Sequence, residues 1–260
     1  MCLVACAINQ NPKYPFILIA NRDEFRARPS APAHFWKEDP NILAGIDLKM
    51  NGTWLGVTRK GRVALITNYR DLKNVNPDAP SRGALVSNYL KSEVSADEYL
   101  ASIANPKDYN GFNLLVGDRH GLTWFSNQST EPVKLENGIF GLSNALLDTP
   151  WPKVEALKKG LKGLLSSNSV DAKNPFKLLS STERPADIYL PDTGVGLELE
   201  QLLSSAFINT ENYGTVCSTV ILIDNQENVQ FFERSFGSNG LVNGKEAFSF
   251  GIEMRGRAKV

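Results

Sequence analysis

Cys2-Leu3-Val4-Ala5-Cys6-Ala7-Ile8 opens the chain behind Met1, and Pro15-Phe16-Ile17-Leu18-Ile19-Ala20 follows after Asn11-Pro12. Both runs are apolar and bounded by turn residues, so each reads as a strand and the pair as a hairpin. A hairpin returns the chain. The tetrad Asn21-Arg22-Asp23-Glu24, at the end of the second run, is therefore expected beside Cys2.

Hairpin signals recur along the chain. Asn51-Gly52 and Lys60-Gly61 punctuate short strands between Ile42 and Asn68. Phe112–Gly117 and Leu122–Asn127 flank the turn 118–121, and Pro132–Leu135 and Gly138–Leu142 flank Asn137-Gly138, so each pair predicts a hairpin. Cys217–Asp224 and Val229–Ser235 form a further one, turned by 225–228. Helices come in separate groups: Gly83–Leu90, then Asp97–Ala104 behind the capping box Ser95/Glu98, then Lys153–Leu165, Pro175–Leu179 and Glu198–Ser204. Gly251–Val260 is a basic tail without pattern. Hairpins with segregated helices make an α+β class, with two stacked antiparallel sheets and helices outside. No repeat or linker interrupts the 260 residues, which read as a single domain, 1–260.

Composition narrows the function. Lys+Arg and Asp+Glu are each 28, so the formal net charge is zero and the basic excess of a general nucleic-acid binder is absent. Cys2, Cys6 and Cys217 are too few for a disulfide framework and lack CxxC spacing, which fits a reducing, cytoplasmic compartment. No basic segment leads a long apolar run at the N-terminus, and no apolar stretch reaches membrane-helix length. An organelle address in a eukaryote is compatible with this pattern.

Removal of Met1 would leave Cys2 with a thiol and a free α-amine, whose ordinary pKa near ~8 lets it accept a proton at neutral pH. Nucleophile and base then sit on one residue, the minimum for an N-terminal-nucleophile hydrolase. The plain alternative is a small apolar residue opening a buried strand. Arg22 beside the thiol would favour the thiolate, and Asp23 would orient the amine. Asn68 and Asn144 each follow an apolar strand and are candidate amide donors to an oxyanion, although asparagine also caps turns for structural reasons. His34 and His120 are the only histidines, which excludes HExxH, and no GxGxxG, Walker A or metal-ligand pattern is present.

Cys2, the tetrad Asn21–Glu24, Asn51-Gly-Thr-Trp-Leu-Gly56, Thr67-Asn-Tyr-Arg70, Ser81-Arg-Gly83 and Gly141-Leu-Ser-Asn144 together resemble the NRDE, or transport-and-Golgi-organisation-2, family. The blocks occur in family order from Cys2 to Pro152, and the segment Ser218–Asp224 extends them. That family is similar to the choloylglycine hydrolase and penicillin V acylase group. The resemblance implies an αββα four-layer sandwich of N-terminal-nucleophile type. It implies Cys2 as nucleophile, Arg22 and Asp23 or Glu24 in the arginine and acid positions, and Asn68 and Asn144 at the oxyanion and amine-orienting positions. It implies a small-molecule acyl substrate, held as an amide or thioester, with no cofactor needed for hydrolysis. Tyr213–Ser218 departs from many members in carrying Val216 where they have arginine. The family's association with haem mobilisation and with lipid or acyl-coenzyme A metabolism implies a second expectation, a carrier. For haem, the axial ligands would come from His34, His120, Met50, Met254 or a cysteine thiolate.

Overall fold

The computed structural model describes residues 2–253 apart from 168, 169 and 172. Numbered in chain order, the strands are β1 (Cys2–Ile8), β2 (Phe16–Phe25), β3 (Ser30–Phe35), β4 (Ile42–Asp47), β5 (Leu55–Thr58), β6 (Val63–Asn68), β7 (Phe112–Asp118), β8 (Gly121–Ser126), β9 (Val133–Leu135), β10 (Gly138–Leu142), β11 (Tyr213–Ile223), β12 (Asn228–Phe236) and β13 (Val242–Gly251). The helices are α1 (Gly83–Lys91), α2 (Ala96–Ser102), α3 (Pro152–Ser166), α4 (Asn174–Leu179) and α5 (Leu197–Leu202). One sheet runs β10-β1-β2-β11-β12-β13 and the other β3-β4-β5-β6-β7-β8-β9, with antiparallel pairing in both.

The apolar continuity of β1 and β2 has a direct cause. Successive side chains of a strand point to opposite faces, and both faces of this sheet are covered. Val4, Cys6 and Ile8, with Phe16 and Leu18, enter the layer between the sheets, where they meet Leu43, Val57 and Leu65. Leu3, Ala5 and Ala7, with Ile17 and Ile19, face Val154, Leu157 and Phe176 of α3 and α4. A third apolar layer joins the second sheet to α1 and α2 through Ile42, Ile66 and Leu114 against Leu85, Val86 and Tyr99. Three apolar layers between four layers of structure make the αββα sandwich.

The structure amends the strand reading in three places. Strand β2 runs on to Phe25, so Asn21–Glu24 lies within the ladder, and Cys2 is the cross-strand partner of Arg22. Strands β9 and β10 are not a hairpin: β9 pairs with β8 and β10 with β1, in different sheets. The Asn137-Gly138 turn is where the chain changes sheets, with Gly138 at φ +147°. The alternating β13, half exposed along its length at the sheet edge, and the proline-bearing β3 were not evident in the sequence. Most of the basic tail, 254–260, lies outside the described residues.

Candidate active site

Cys2 starts β1 at the end of the first sheet and is partly exposed, whereas Cys6 and Cys217 are buried, and all three thiols are free. Its side chain lines a cleft of about 240 Å³ shared with Arg22, Asp23, Glu24, Asn68 and Arg82. The four residues of the tetrad divide the work by strand parity. Asn21 points to the helices, where Nδ2 donates to the carbonyls of Leu179 and Ala206, both at 2.8 Å, and Oδ1 accepts from the Ser218 hydroxyl at 2.5 Å. Arg22 lies against the Trp54 ring, its guanidinium carbon 4.2 Å from the centroid. It also reaches Glu24 at 3.7 Å and Asp47 at 4.0 Å. Asp23 is buried and accepts from the Thr215 hydroxyl at 2.7 Å. Glu24 stands at the cleft lip.

The electrostatic balance at the thiol differs from the sequence expectation. Burial pushes Cys2 above its ordinary value, and Asp23 adds to this. Arg22 and a hydrogen bond from the Asp23 backbone N–H act the other way without reversing it. Resting Cys2 is a thiol, and attack requires a base. Burial also raises Asp23, opposed first by Lys153.

Asn68 ends β6 and lines the cleft. Asn144 is buried, and its Nδ2 donates to the Asn68 carbonyl at 2.8 Å while its own carbonyl accepts from the Arg70 N–H at 2.8 Å. The adjacent Ser143 hydroxyl donates to the Cys2 carbonyl at 3.0 Å. The two asparagines are thus brought together, with Asn144 bracing the strand end that carries Asn68. The haem-ligand candidates are dispersed. Met50 is on the cleft wall, His34 is on β3 with Nδ1 2.8 Å from the Pro32 carbonyl, His120 is exposed in the β7–β8 turn, and Met254 lies outside the described residues. Among the described residues no cluster of three or more His, Cys, Asp or Glu could hold a metal ion.

Sequence reasoning passed over three groups. Arg82, on the block Ser81-Arg-Gly83, bonds the Gly111 carbonyl at 2.9 Å and feels the charges of Glu24 and Cys2. It is placed by the close approach of two backbones, since a side chain on Gly52 would meet the Gly83 carbonyl carbon at 2.6 Å. Lys153 is buried on α3, where Nζ donates to the Leu203 carbonyl at 2.8 Å, and desolvation lowers its pKa to about 8. Arg70 forms a buried pair with Glu200 at 2.6 Å and lies over the Trp151 ring. Only charge in an otherwise apolar helix face, at Lys153, was visible beforehand.

A second cavity of about 310 Å³ adjoins the cleft, with Glu24, Asn68 and Arg82 common to both. Tyr69, Leu72, Val75 and three leucines of α5 and its end, Leu199, Leu202 and Leu203, make it mainly apolar. Cys2 therefore stands in a polar cleft that shares a wall with an apolar one.

The family model described as Transport and Golgi organisation 2 matches residues 1–238. The chain belongs to the Transport and Golgi organisation 2 family. The bovine Transport and Golgi organization protein 2 homolog is 36% identical, with 90% of this chain and 93% of that protein covered. The human homolog is 34% identical over the same shares. Among solved structures, the C2A mutant of conjugated bile acid hydrolase from Clostridium perfringens is similar, with a TM-score of 0.51, 10% identity and 97% of each chain covered. At that identity the likeness is one of fold, and it agrees with the αββα sandwich of this Transport and Golgi organisation 2 member. Among the described residues no helix is long and apolar enough to cross a membrane.

Proposed function

We propose that the chain is a thiol-dependent acyl hydrolase in which Cys2, exposed by removal of Met1, attacks the carbonyl of a small-molecule amide or thioester. The observation that carries this reading is the position of Cys2, a partly exposed residue cross-strand to Arg22 whose thiol is hydrogen-bonded by the Asp23 backbone, in a cleft that also holds Asn68. The similar solved structure, a C2A mutant of its enzyme, supports it, since position 2 was the residue altered there.

The α-amine takes the Sγ proton as sulfur forms its bond to the carbonyl carbon. Collapse breaks the C–N or C–S bond, and the α-ammonium returns that proton to the leaving group. Water then attacks the Cys2 thioester, giving one proton to the amine and restoring the thiol as the acid leaves. Arg22 and Arg82 stabilise negative charge in the cleft, and Asn68, braced by Asn144, offers an amide N–H to the oxyanion. No cofactor enters the cycle. Intact-mass analysis after incubation with a panel of acyl amides and thioesters is expected to show Met1 absent and an acyl adduct on the native chain, with none on Cys2→Ala. Retention of Met1, or no adduct and no turnover with any substrate, overturns it.

A second reading, carriage of haem or an acyl ligand without catalysis, is supported by the apolar cavity and by Met50 on the wall of the Cys2 cleft. It expects a haem absorbance band on titration that Met50→Ala or Cys2→Ala abolishes. A featureless titration removes the haem form of it.

A further inference from the structure

Tyr213 is a buried hydroxyl beside the site that the proposed cycle leaves unused. It opens β11 and pairs with Phe25, and the two rings meet edge to face with centroids 5.2 Å apart. Its hydroxyl oxygen is closed to solvent, and among the described residues it has no hydrogen-bond partner. Buried polar atoms almost always have one, and leaving a hydroxyl without it is costly. A sealed oxygen of this kind is served only from within the molecule.

The strand register indicates which group serves it. Side chains alternate along β11, so Tyr213 shares a face with Thr215, and on that face the Thr215 hydroxyl donates to the Asp23 carboxylate at 2.7 Å. In the β1–β2 ladder Leu3 is opposite Asn21 and Cys2 opposite Arg22, so the backbone nitrogen of Cys2 heads for the position opposite Asp23. The Asp23 backbone N–H, bonded to the Cys2 thiol, fixes that approach. The α-amine created by loss of Met1 is therefore beside Asp23, whose side chain shares its face with Tyr213. Asn68 joins the two sides, lining the Cys2 cleft and, with Tyr213, the apolar cavity. Electrostatics agree with this placement, for Asp23 and then Cys2 are the charges that act most on the Tyr213 phenol. The other titratable groups acting around this point are Arg22 and Glu24 of β2, the Cys217 thiol of β11, Lys153 of α3, Arg82 before α1, and the Arg70–Glu200 pair.

We propose that Tyr213 is a positioning residue whose hydroxyl oxygen accepts one N–H of the Cys2 α-amine while the Asp23 carboxylate accepts another. A neutral amine has two N–H groups and one lone pair. With both N–H groups held, the lone pair is left to face Sγ and take the thiol proton. The proposal rests on the hydrolase reading only in requiring loss of Met1.

An NMR pH titration of the full chain, labelled with carbon-13 at cysteine Cα, tests it. Intact mass reports Met1, and the Cys2 signal is the one lost in Cys2→Ala. Tyr213→Phe removes one oxygen, so the ammonium form loses an acceptor and the amine pKa is expected to fall by about one unit. A packing role for the ring would leave that titration unmoved. As a second measurement, on the native chain, the Tyr213 Cζ signal should move in step with the amine. Met1 still present on the native chain overturns the proposal and the hydrolase reading together. Met1 absent, with an amine pKa that is unchanged or higher in Tyr213→Phe, overturns the proposal alone and leaves the hydroxyl to an internal water. A Tyr213 signal indifferent to the amine does the same.

Discussion

Arg22 stands directly across the β1–β2 ladder from Cys2, and across the next ladder from Cys217, so one arginine is the cross-strand neighbour of two cysteines. Its opposite charges, Glu24 and Asp47, are at 3.7 and 4.0 Å, and Trp54 covers its face. At 5% exposure it is a buried cation whose nearest carboxylates are not in tight contact. Replacing it by methionine removes the cation–π contact and leaves Glu24 and Asp47 without that partner, at an expected cost of about 2–4 kcal/mol in urea unfolding. Arg22→Lys keeps the charge and loses the planar stack, so a cost below that of methionine is expected. Equal costs for the two would show that charge is irrelevant there.

Alkylation reports on the thiol. Cys2 is the partly exposed one of the three, so iodoacetamide is expected to modify Cys2 first, with Cys6 and Cys217 protected until unfolding. Because burial raises the Cys2 thiol, the rate should keep climbing past the pH at which an ordinary cysteine levels off. A rate already level at neutral pH, measured by mass spectrometry of the Cys2 peptide, would contradict the balance described for the site.

The Arg70–Glu200 pair has both side chains within 4% of full burial. Glu200 also accepts from the Thr193 N–H at 2.9 Å and from its hydroxyl, which ties the segment before α5 to the apolar cavity wall. Glu200→Gln is expected to destabilise by about 3–5 kcal/mol, because Arg70 is left as an uncompensated buried charge. The double replacement Arg70→Met with Glu200→Leu should recover much of that loss. Chemical denaturation of the native chain, Arg70→Met, Glu200→Leu and the double variant closes a cycle, and additive single costs would mean that the pair does not interact.

Lys153 sets an alkaline signature. Its folded pKa of about 8 is below its ordinary value of 10.5, so between these two values the unfolded chain holds the proton and the folded chain does not. Stability therefore rises with pH across that window, by an amount on the order of 3 kcal/mol. Below pH 8 both states carry the charge, and its full desolvation cost is present. Lys153→Met should abolish the rise. Unfolding curves from pH 7.5 to 10.5 that are parallel for the two proteins would rule this out.

Much of the frame was legible because it is local. The apolar runs of β1 and β2, their turn, and the capping box at Ser95, where Glu98 and Ser95 bond reciprocally, are written in neighbouring residues. The sheet change at Asn137-Gly138 was not, since the same turn chemistry serves a hairpin and a crossover. Strand β13 alternates between exposed and half-buried residues and includes Gly244 and Lys245, so it lacks the apolar contrast that marks a core strand. At the site, the return of the hairpin placed the tetrad near Cys2 in advance, and the register then set Arg22 across from it. Arg82 and the Arg70–Glu200 pair were invisible, and Lys153 showed only as a charge on an apolar helix face, because the burial of a charged side chain depends on segments distant in the chain.

The pairing of β2 with β11 has a consequence for how the molecule is made. The Asp23 carboxylate meets the Thr215 hydroxyl 192 positions further on, and that contact belongs to a whole ladder of similar separation. Asp23 leaves the ribosome 192 residues before the Thr215 of the strand that seals it. Until then β2 offers an unpaired apolar edge, the kind of surface that associates with the wrong partner. Folding dominated by such remote pairings is slow. Cys2 is thus made long before the strand that completes its surroundings.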